Sequence, residues 1–384
     1  MSNLNIYLPP FTPDYSGCSS ALYELGGMII LHDASGCTGN VLGYDEPRWE
    51  SASTSRAMVF CSAYRHLEAV LGQDDKVIDR IVEAANSLKP RFIALVGSPV
   101  PMLVGTDYVG MAREIEARTS IASFGFDTKG LEFYDNGYMK ATIALLRRYA
   151  RKLPTVRRSI NLLGLTPIDF GYRGNDRAIL SLLEENRIAV NCSFSMNFTL
   201  EEIGTAGQAE LNVALSEAGV EVALYMMKEF GIPFISTVPY SDGKRFIEDI
   251  ENAFLGRTAE REVEIYNFDR RFLIIGEQVS SNALRREIEI RSGIRTDVAI
   301  LFSHRPELLR KGDYSFVQEK DIRNLVNSGM YTDVVADPLI KQLILRDDVA
   351  FHENASVAVS SKFHWDEVRT LVGQEMEDFI SEMV

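Results

Sequence analysis

Four cysteines, Cys18, Cys37, Cys61 and Cys192, are the residues whose chemistry most needs explaining, because three of them fall within the first 61 positions. Cys18 and Cys37 each follow a glycine, in Ser16-Gly17-Cys18 and Ser35-Gly36-Cys37. Glycine lets the backbone turn tightly and leaves room for a bulky group beside a thiolate. Cys37 also comes just after the apolar run MIILHDA, at the carboxyl end of a predicted strand, where parallel α/β sheets place their ligands. Cys61, in VFCSAYRH, is a third candidate. The spacing contains no CxxC or HxxxH grouping of the kind a zinc site uses. Two readings therefore stand. The thiols are small buried hydrophobes, or they are soft ligands, in which case an iron–sulfur cluster suits them better than a hard cation. His32, beside Asp33, is a strand-end histidine or a hydrogen-bonding group that tunes a bound cluster.

Something must hold these loops in place. Short apolar runs at Met28–His32, Arg91–Gly97, Ile121–Phe126, Ser159–Leu165, Leu211–Leu215, Pro233–Val238, Phe272–Gly276 and Asp297–Phe302 are predicted strands. Between them, stretches such as Lys76–Leu88, Tyr138–Lys152, Val220–Phe230, Gly243–Phe254 and Ser280–Ser292 have helical periodicity. This alternation predicts an α/β fold with parallel sheets covered by helices. A length of 384 residues implies two or three cores. The basic run RRYARKLPTVRR (147–158) and the charge-dense segment 259–271 read as junctions. We expect Rossmann-like units at 1–155, 156–265 and 266–355, with a C-terminal helix in 356–384 packing back on the others.

A net charge of −14 disfavours nucleic acid and anionic membranes as partners. No run approaches the ~20 apolar residues of a membrane helix, and the first ten residues lack a signal-peptide pattern. The expected compartment is the cytoplasm. No GxxxxGK[ST] pattern occurs, so ATP chemistry would belong to a partner. The stretch GLTPIDFGYRG (164–174) lacks dinucleotide-binding spacing and reads as a βα loop, and Thr199 with Glu202 reads as a helix capping box.

Several segments together resemble the nitrogenase component 1 superfamily. GCSSALYELGGMIILHDASGC is similar to the family pattern in which two cluster cysteines bracket a strand. HLEAVLGQDDKVIDRI, LVGSPVPMLVGTDYVGMAREI and SFGFDTKGLEFYDNGYMKA resemble its following motifs. NFTLEEIGTAGQAELNVALS, MMKEFGIPFIST and RFLIIGEQVSSNALRREIEIRSGI resemble its second and third domains, up to about residue 305. The departures are Ser98, where the third cluster cysteine usually lies, and Ser216, where the nitrogenase α subunit has its cofactor cysteine. Dinitrogen reduction is accordingly disfavoured.

The resemblance implies a [4Fe–4S] cluster held by Cys18 and Cys37 and shared across a homodimer, or a heterodimer with a paralogous subunit, since such a cube takes four ligands. It implies electrons from an ATP-hydrolysing iron-protein-like reductase. They would pass to a small organic or tetrapyrrole substrate in a cleft lined by loops 98–107, 166–172, 192–198 and 239–243 and by His304. The alternatives are a non-catalytic scaffold for metal-cluster assembly and a cluster-free ligand-binding homologue.

Overall fold

The computed structural model describes residues 5–51, 58–65, 72–257, 263–316 and 318–384. Thirteen strands among them form three wholly parallel sheets. The first contains β1 (Met28–Leu31), β2 (Met58–Cys61), β3 (Ile93–Val96) and β4 (Ser123–Phe126), in the order β2-β1-β3-β4. The second contains β5 (Ser159–Leu163), β6 (Ala189–Ser193), β7 (Leu211–Ala214) and β8 (Phe234–Ser236), in the order β6-β5-β7-β8. The third contains β9 (Asn267–Gly276), β10 (Ile294–Ile300), β11 (Tyr314–Ser315), β12 (Asp333–Ala336) and β13 (Ala350–Glu353), in the order β11-β10-β9-β12-β13. Each sheet reverses its winding beside its first strand, so each has one crevice at its carboxyl edge.

All eight predicted strands are present, with ends displaced by a few residues. β2, β6, β11, β12 and β13 were not predicted, and four of these five lie at sheet edges. Edge strands are short and half exposed, so they lack the unbroken apolar run that marks β1 or β3. The last helix, Gln374–Met383, fills only part of the expected segment 356–384. Helical structure resumes only at Gln374, after Gly373 with φ of 117°, while Trp365–Glu367 is a separate 3₁₀ turn around a buried Trp365. This helix packs Met376, Phe379 and Ile380 into the same core as Phe272 and Ile274 of β9.

Six helices matter below: α1 (Asp14–Leu22), α2 (Tyr134–Tyr149), α3 (Glu217–Phe230), α4 (Lys244–Phe254), α5 (Gln278–Ser292) and α6 (Gln374–Met383). α1 is buried along all nine residues and crosses α2 at very short range. Glycine makes that crossing possible: a Cβ at Gly137 would lie 1.7 Å from the Asp14 carbonyl oxygen, and one at Gly17 1.9 Å from that of Tyr134. Gly137→Ala is expected to cost about 3 kcal/mol or more, since backbone cannot move aside as a side chain does. Chemical denaturation would measure it, and a loss below ~1 kcal/mol would show that the crossing can open cheaply.

The arginine-rich junction is solvated and paired. Arg148 bonds Glu116 at 2.8 Å, Arg157 bonds Glu210 at 3.2 Å and Arg158 bonds Glu251 at 2.7 Å. The capping box at Thr199 and Glu202 is formed.

Candidate functional site

The crevice of the first sheet lies between the loops that follow β1 and β3. Cys37 stands in the first of these loops and Ser98 in the second. Asp33 organises the cysteine loop, its Oδ2 accepting the N–H groups of Ser35 at 2.9 Å and Cys37 at 2.8 Å. Cys61, at the end of β2, reaches the same aspartate, with its Sγ 3.3 Å from the Asp33 carbonyl oxygen. Ser98 is buried and donates to the His32 carbonyl at 2.8 Å. Burial raises the Cys37 thiol pKa, and the Asp33 charge raises it further. A hydrogen bond from the Tyr15 hydroxyl to the sulfur acts the other way, favouring thiolate.

The remaining thiols are placed differently. Cys18 and Cys192 are wholly buried, and burial pushes both thiols well above their usual range. Cys18 sits in the core where α1 crosses α2, while Cys37 and Cys61 are only partly buried. His32 is buried with its ring against Tyr64, and its Nδ1 lies 3.0 Å from Ser62 Oγ.

An iron–sulfur cluster fits this donor set in part. Among the described residues, no three His, Cys, Asp or Glu side chains gather as a metal would require. Cys37 offers a reachable sulfur with the Tyr15 hydroxyl beside it, whereas Cys18 is sealed under neighbouring side chains. The described residues of this chain do not gather a full ligand set, and Cys18 becomes reachable only if the packing over α1 parts.

A second group of polar residues lies at the carboxyl ends of the other two sheets. Asp169 follows β5, Glu217 follows β7 and Glu277 follows β9. The Glu277 carboxylate accepts the Glu217 N–H at 2.7 Å, together with those of Val279 at 2.9 Å and Ser280 at 2.8 Å. That set caps α5 and ties it to α3. Tyr134, the first residue of α2, donates its hydroxyl to Asp169, and Thr166 donates to the other oxygen at 2.7 Å. Arg305 bonds Glu217 at 2.7 Å and also pairs with Glu221. Asp135 accepts the Ser303 N–H at 3.1 Å, so residues from all three sheets meet here.

Burial raises the pKa of Asp169 to about 8, and the neighbouring Glu277 charge adds to it. Glu217 is likewise pushed up to about 8 by burial, against the opposing pull of Arg305. Sequence reasoning missed these three carboxylates. Their signal was an acidic residue placed within a few positions of a strand's carboxyl end, as in RFLIIGE and LNVALSE.

Ser216 is buried and donates to the Gly164 carbonyl at 2.9 Å. Of the expected cleft residues, Thr166, Phe170, Phe194, Met196, Phe198 and Tyr240 are all buried, and Asp107 caps a helix through the Gly110 N–H at 2.9 Å. Asp127 pairs with Lys129 at 3.4 Å.

Three parallel sheets whose carboxyl edges converge on shared polar residues define a three-unit α/β class of protein, and the comparisons agree. The model of "Nitrogenase component 1 type Oxidoreductase" matches residues 14–272, and the chain belongs to that family. It is 25% identical over 265 residues to the nitrogenase iron-molybdenum cofactor biosynthesis protein NifE of Methanosarcina barkeri, covering 64% of this chain and 54% of that protein. It is also 25% identical over 229 residues to a light-independent protochlorophyllide reductase polypeptide of Angiopteris evecta, covering 54% of this chain and 44% of that one. The chain thus spans about half the length of these relatives. The solved structure "Nitrogenase Cp1 at pH 6.5" matches the fold over 100% of this chain and 93% of its own, with a TM-score of 0.73 at 14% identity. Among the described residues, no helix is long and apolar enough to cross a membrane.

Proposed function

We propose that the chain is one subunit of a nitrogenase-like oxidoreductase, with Cys37 as its principal ligand to an iron–sulfur cluster shared with a second subunit. The observation that carries this reading is a partly exposed thiol at the crevice of the first sheet, beside Tyr15, Asp33, Ser98 and Cys61. Such a cluster, when bound, would accept and release single electrons. The chain's own part is to present the Cys37 sulfur, to orient its loop through Asp33, and to favour thiolate through the Tyr15 hydroxyl. Cys18 would join the ligand set after the packing over α1 opens, and Cys61 stands by as a further donor. The second subunit is a copy of this chain or a paralogue. Electrons would come from an ATP-hydrolysing iron-protein-like partner, and the substrate would be a small organic molecule or tetrapyrrole. We place the three structural units at 1–155, 156–265 and 266–355, the last followed by α6 and the segment leading to it, and the whole in the cytoplasm.

The burial of Ser216 and of most of the expected cleft loops 166–172, 192–198 and 239–243 supports a second reading, a scaffold on which a cluster is assembled or carried, although the loop 98–107 is largely exposed. Anaerobic purification followed by iron and sulfide analysis, EPR and dithionite titration tests both. The expected result is close to one four-iron cluster per dimer that dithionite reduces. Reduction by an iron protein with ATP, followed by oxidation on adding substrate, separates the reductase from the scaffold. Protein that binds no iron under these conditions sinks both readings.

A further inference from the structure

One buried carboxylate ties together the segments that carry Cys18 and Cys37. Asp45 is 2% exposed, and its Oδ2 accepts the Ser16 hydroxyl at 2.7 Å and the Asn40 side-chain amide at 2.6 Å. Ser16 lies on α1 two residues before Cys18, and Asn40 ends the short helix Gly36–Asn40 that holds Cys37. The other oxygen, Oδ1, accepts the hydroxyl of Ser361, 316 residues away in sequence, at 2.7 Å. All three partners are neutral. Burial pushes the Asp45 pKa up to about 6 against their hydrogen bonds, and the Glu46 charge adds to it. An ionised carboxylate is stable in such a place only while its donors stay where they are.

Ser361 belongs to a strap beside the entry to α1. Its first turn, Val357–Ser360, holds Thr12, two residues ahead of that helix. The Ala358 carbonyl accepts the Thr12 N–H at 3.1 Å, and the Val357 carbonyl accepts its hydroxyl at 3.3 Å. Ala358 and Val359 are buried in the same core as Cys18. Ser361 itself has φ 47° and ψ −134°, close to the first central residue of a type II′ turn, where glycine is favoured. A serine there is strained, and such strain persists only where the surroundings impose it. The hydrogen bond to Asp45 is the contact that does so. Two residues on, Phe363 is 67% exposed and adds no apolar anchor.

We propose that Asp45 is the positioning residue of the cysteine site, fixing α1 against the Cys37 helix, and that Ser361 is its catch, whose release lets α1 shift and uncovers Cys18. The inference rests on the reading above in which Cys18 joins a cluster, and it supplies the moving part that this reading requires. The crossing of α1 with α2 is backbone against backbone, so the strap side is the one that side chains can release. Losing the Ser361 hydrogen bond acts twice. It leaves Asp45 short of a donor, and it lets a strained residue relax. Both effects favour the open arrangement, so the closed one is held by a single catch between the two ends of the chain.

Labelling of the full chain, reduced and free of metal, with N-ethylmaleimide and then peptide mass spectrometry tests this. The parent should label Cys37 readily and Cys18 slowly. Ser361→Ala keeps the strained backbone and removes the hydroxyl. It should speed Cys18 labelling about tenfold or more, the shift in an opening equilibrium expected from one lost charge-assisted hydrogen bond. Ser361→Gly loses the hydroxyl too but takes the turn without strain, so its acceleration should be smaller. Asp45→Ala should match Ser361→Ala or exceed it, and if it fails to fold, the two strap variants still decide the matter. Asp45→Asn should stay within about twofold of the parent, because its carbonyl can accept Ser16 and Asn40 while its amide donates to the Ser361 oxygen. Cys192, equally buried in the second sheet, is the control and should keep its rate throughout. An unchanged Cys18 rate in Ser361→Ala, a faster rate in Ser361→Gly than in Ser361→Ala, or a rise matched by Cys192 would overturn the proposal. No metal enters this assay, so its outcome is separate from the iron analysis that tests the cluster itself.

Discussion

Cys37→Ala is expected to remove the cluster absorption and EPR signal from anaerobically purified protein and to weaken its dimer. Metal binding and assembly draw on the same free energy when ligands come from two chains. Cys192→Ala should leave both signals intact, because that thiol is buried on β6 in the second sheet. Cys18→Ala discriminates between two arrangements. If the packing over α1 opens to admit a cluster, this variant loses it as fully as Cys37→Ala does. If the packing stays closed, the variant keeps the signal and Cys61 becomes the second donor, which a Cys61→Ala variant would then reveal. Ser98→Cys offers a gain-of-ligand check, since Ser98 stands in the loop after β3, across the crevice from Cys37 and 2.8 Å from the His32 carbonyl. A cluster that persists unchanged in Cys37→Ala would remove the central residue of the proposed site.

The cysteine crevice was legible because its determinants are local. A glycine, a thiol and a preceding apolar run place Cys37 at the end of β1 whatever the rest of the chain does. The parallel sheets were legible for the same reason, since strands buried on both faces, such as MIIL and IALV, read as unbroken apolar runs. The depth of Cys18 was not legible. Its sequence surroundings match those of Cys37, and the difference arises from α2 crossing α1 over Gly17 and Gly137, more than a hundred residues apart. The carboxylates at the junction were invisible for a related reason. Asp169, Glu217 and Glu277 each look like an ordinary loop or helix-cap residue until three sheets bring them together.

The buried carboxylates give the fold a stability that declines with rising pH, and Asp169→Asn should flatten that decline. Asp169 keeps its proton in the folded chain up to about pH 8 but loses it near pH 4 when unfolded. Between those limits the folded state binds more protons, so raising the pH withdraws stability, and below pH 4 this contribution is fully present. Glu217, also raised to about 8, acts in the same direction and over the same window. The groups facing Asp169 are Tyr134, Thr166, Ser216 and Glu277, and those facing Glu217 are Arg305, Glu277 and Asp135, so Arg305 is the one cation among them. Asparagine has the shape of the protonated acid and can still accept the Tyr134 hydroxyl, while Thr166 can rotate to accept its amide. The variant should therefore match the parent near pH 4 and unfold roughly 5 °C or more higher at pH 9. Thermal denaturation across that range, followed by circular dichroism, measures the difference. Parallel pH profiles for the two proteins would mean that Asp169 titrates near its ordinary value and that Arg305 neutralises the junction by itself.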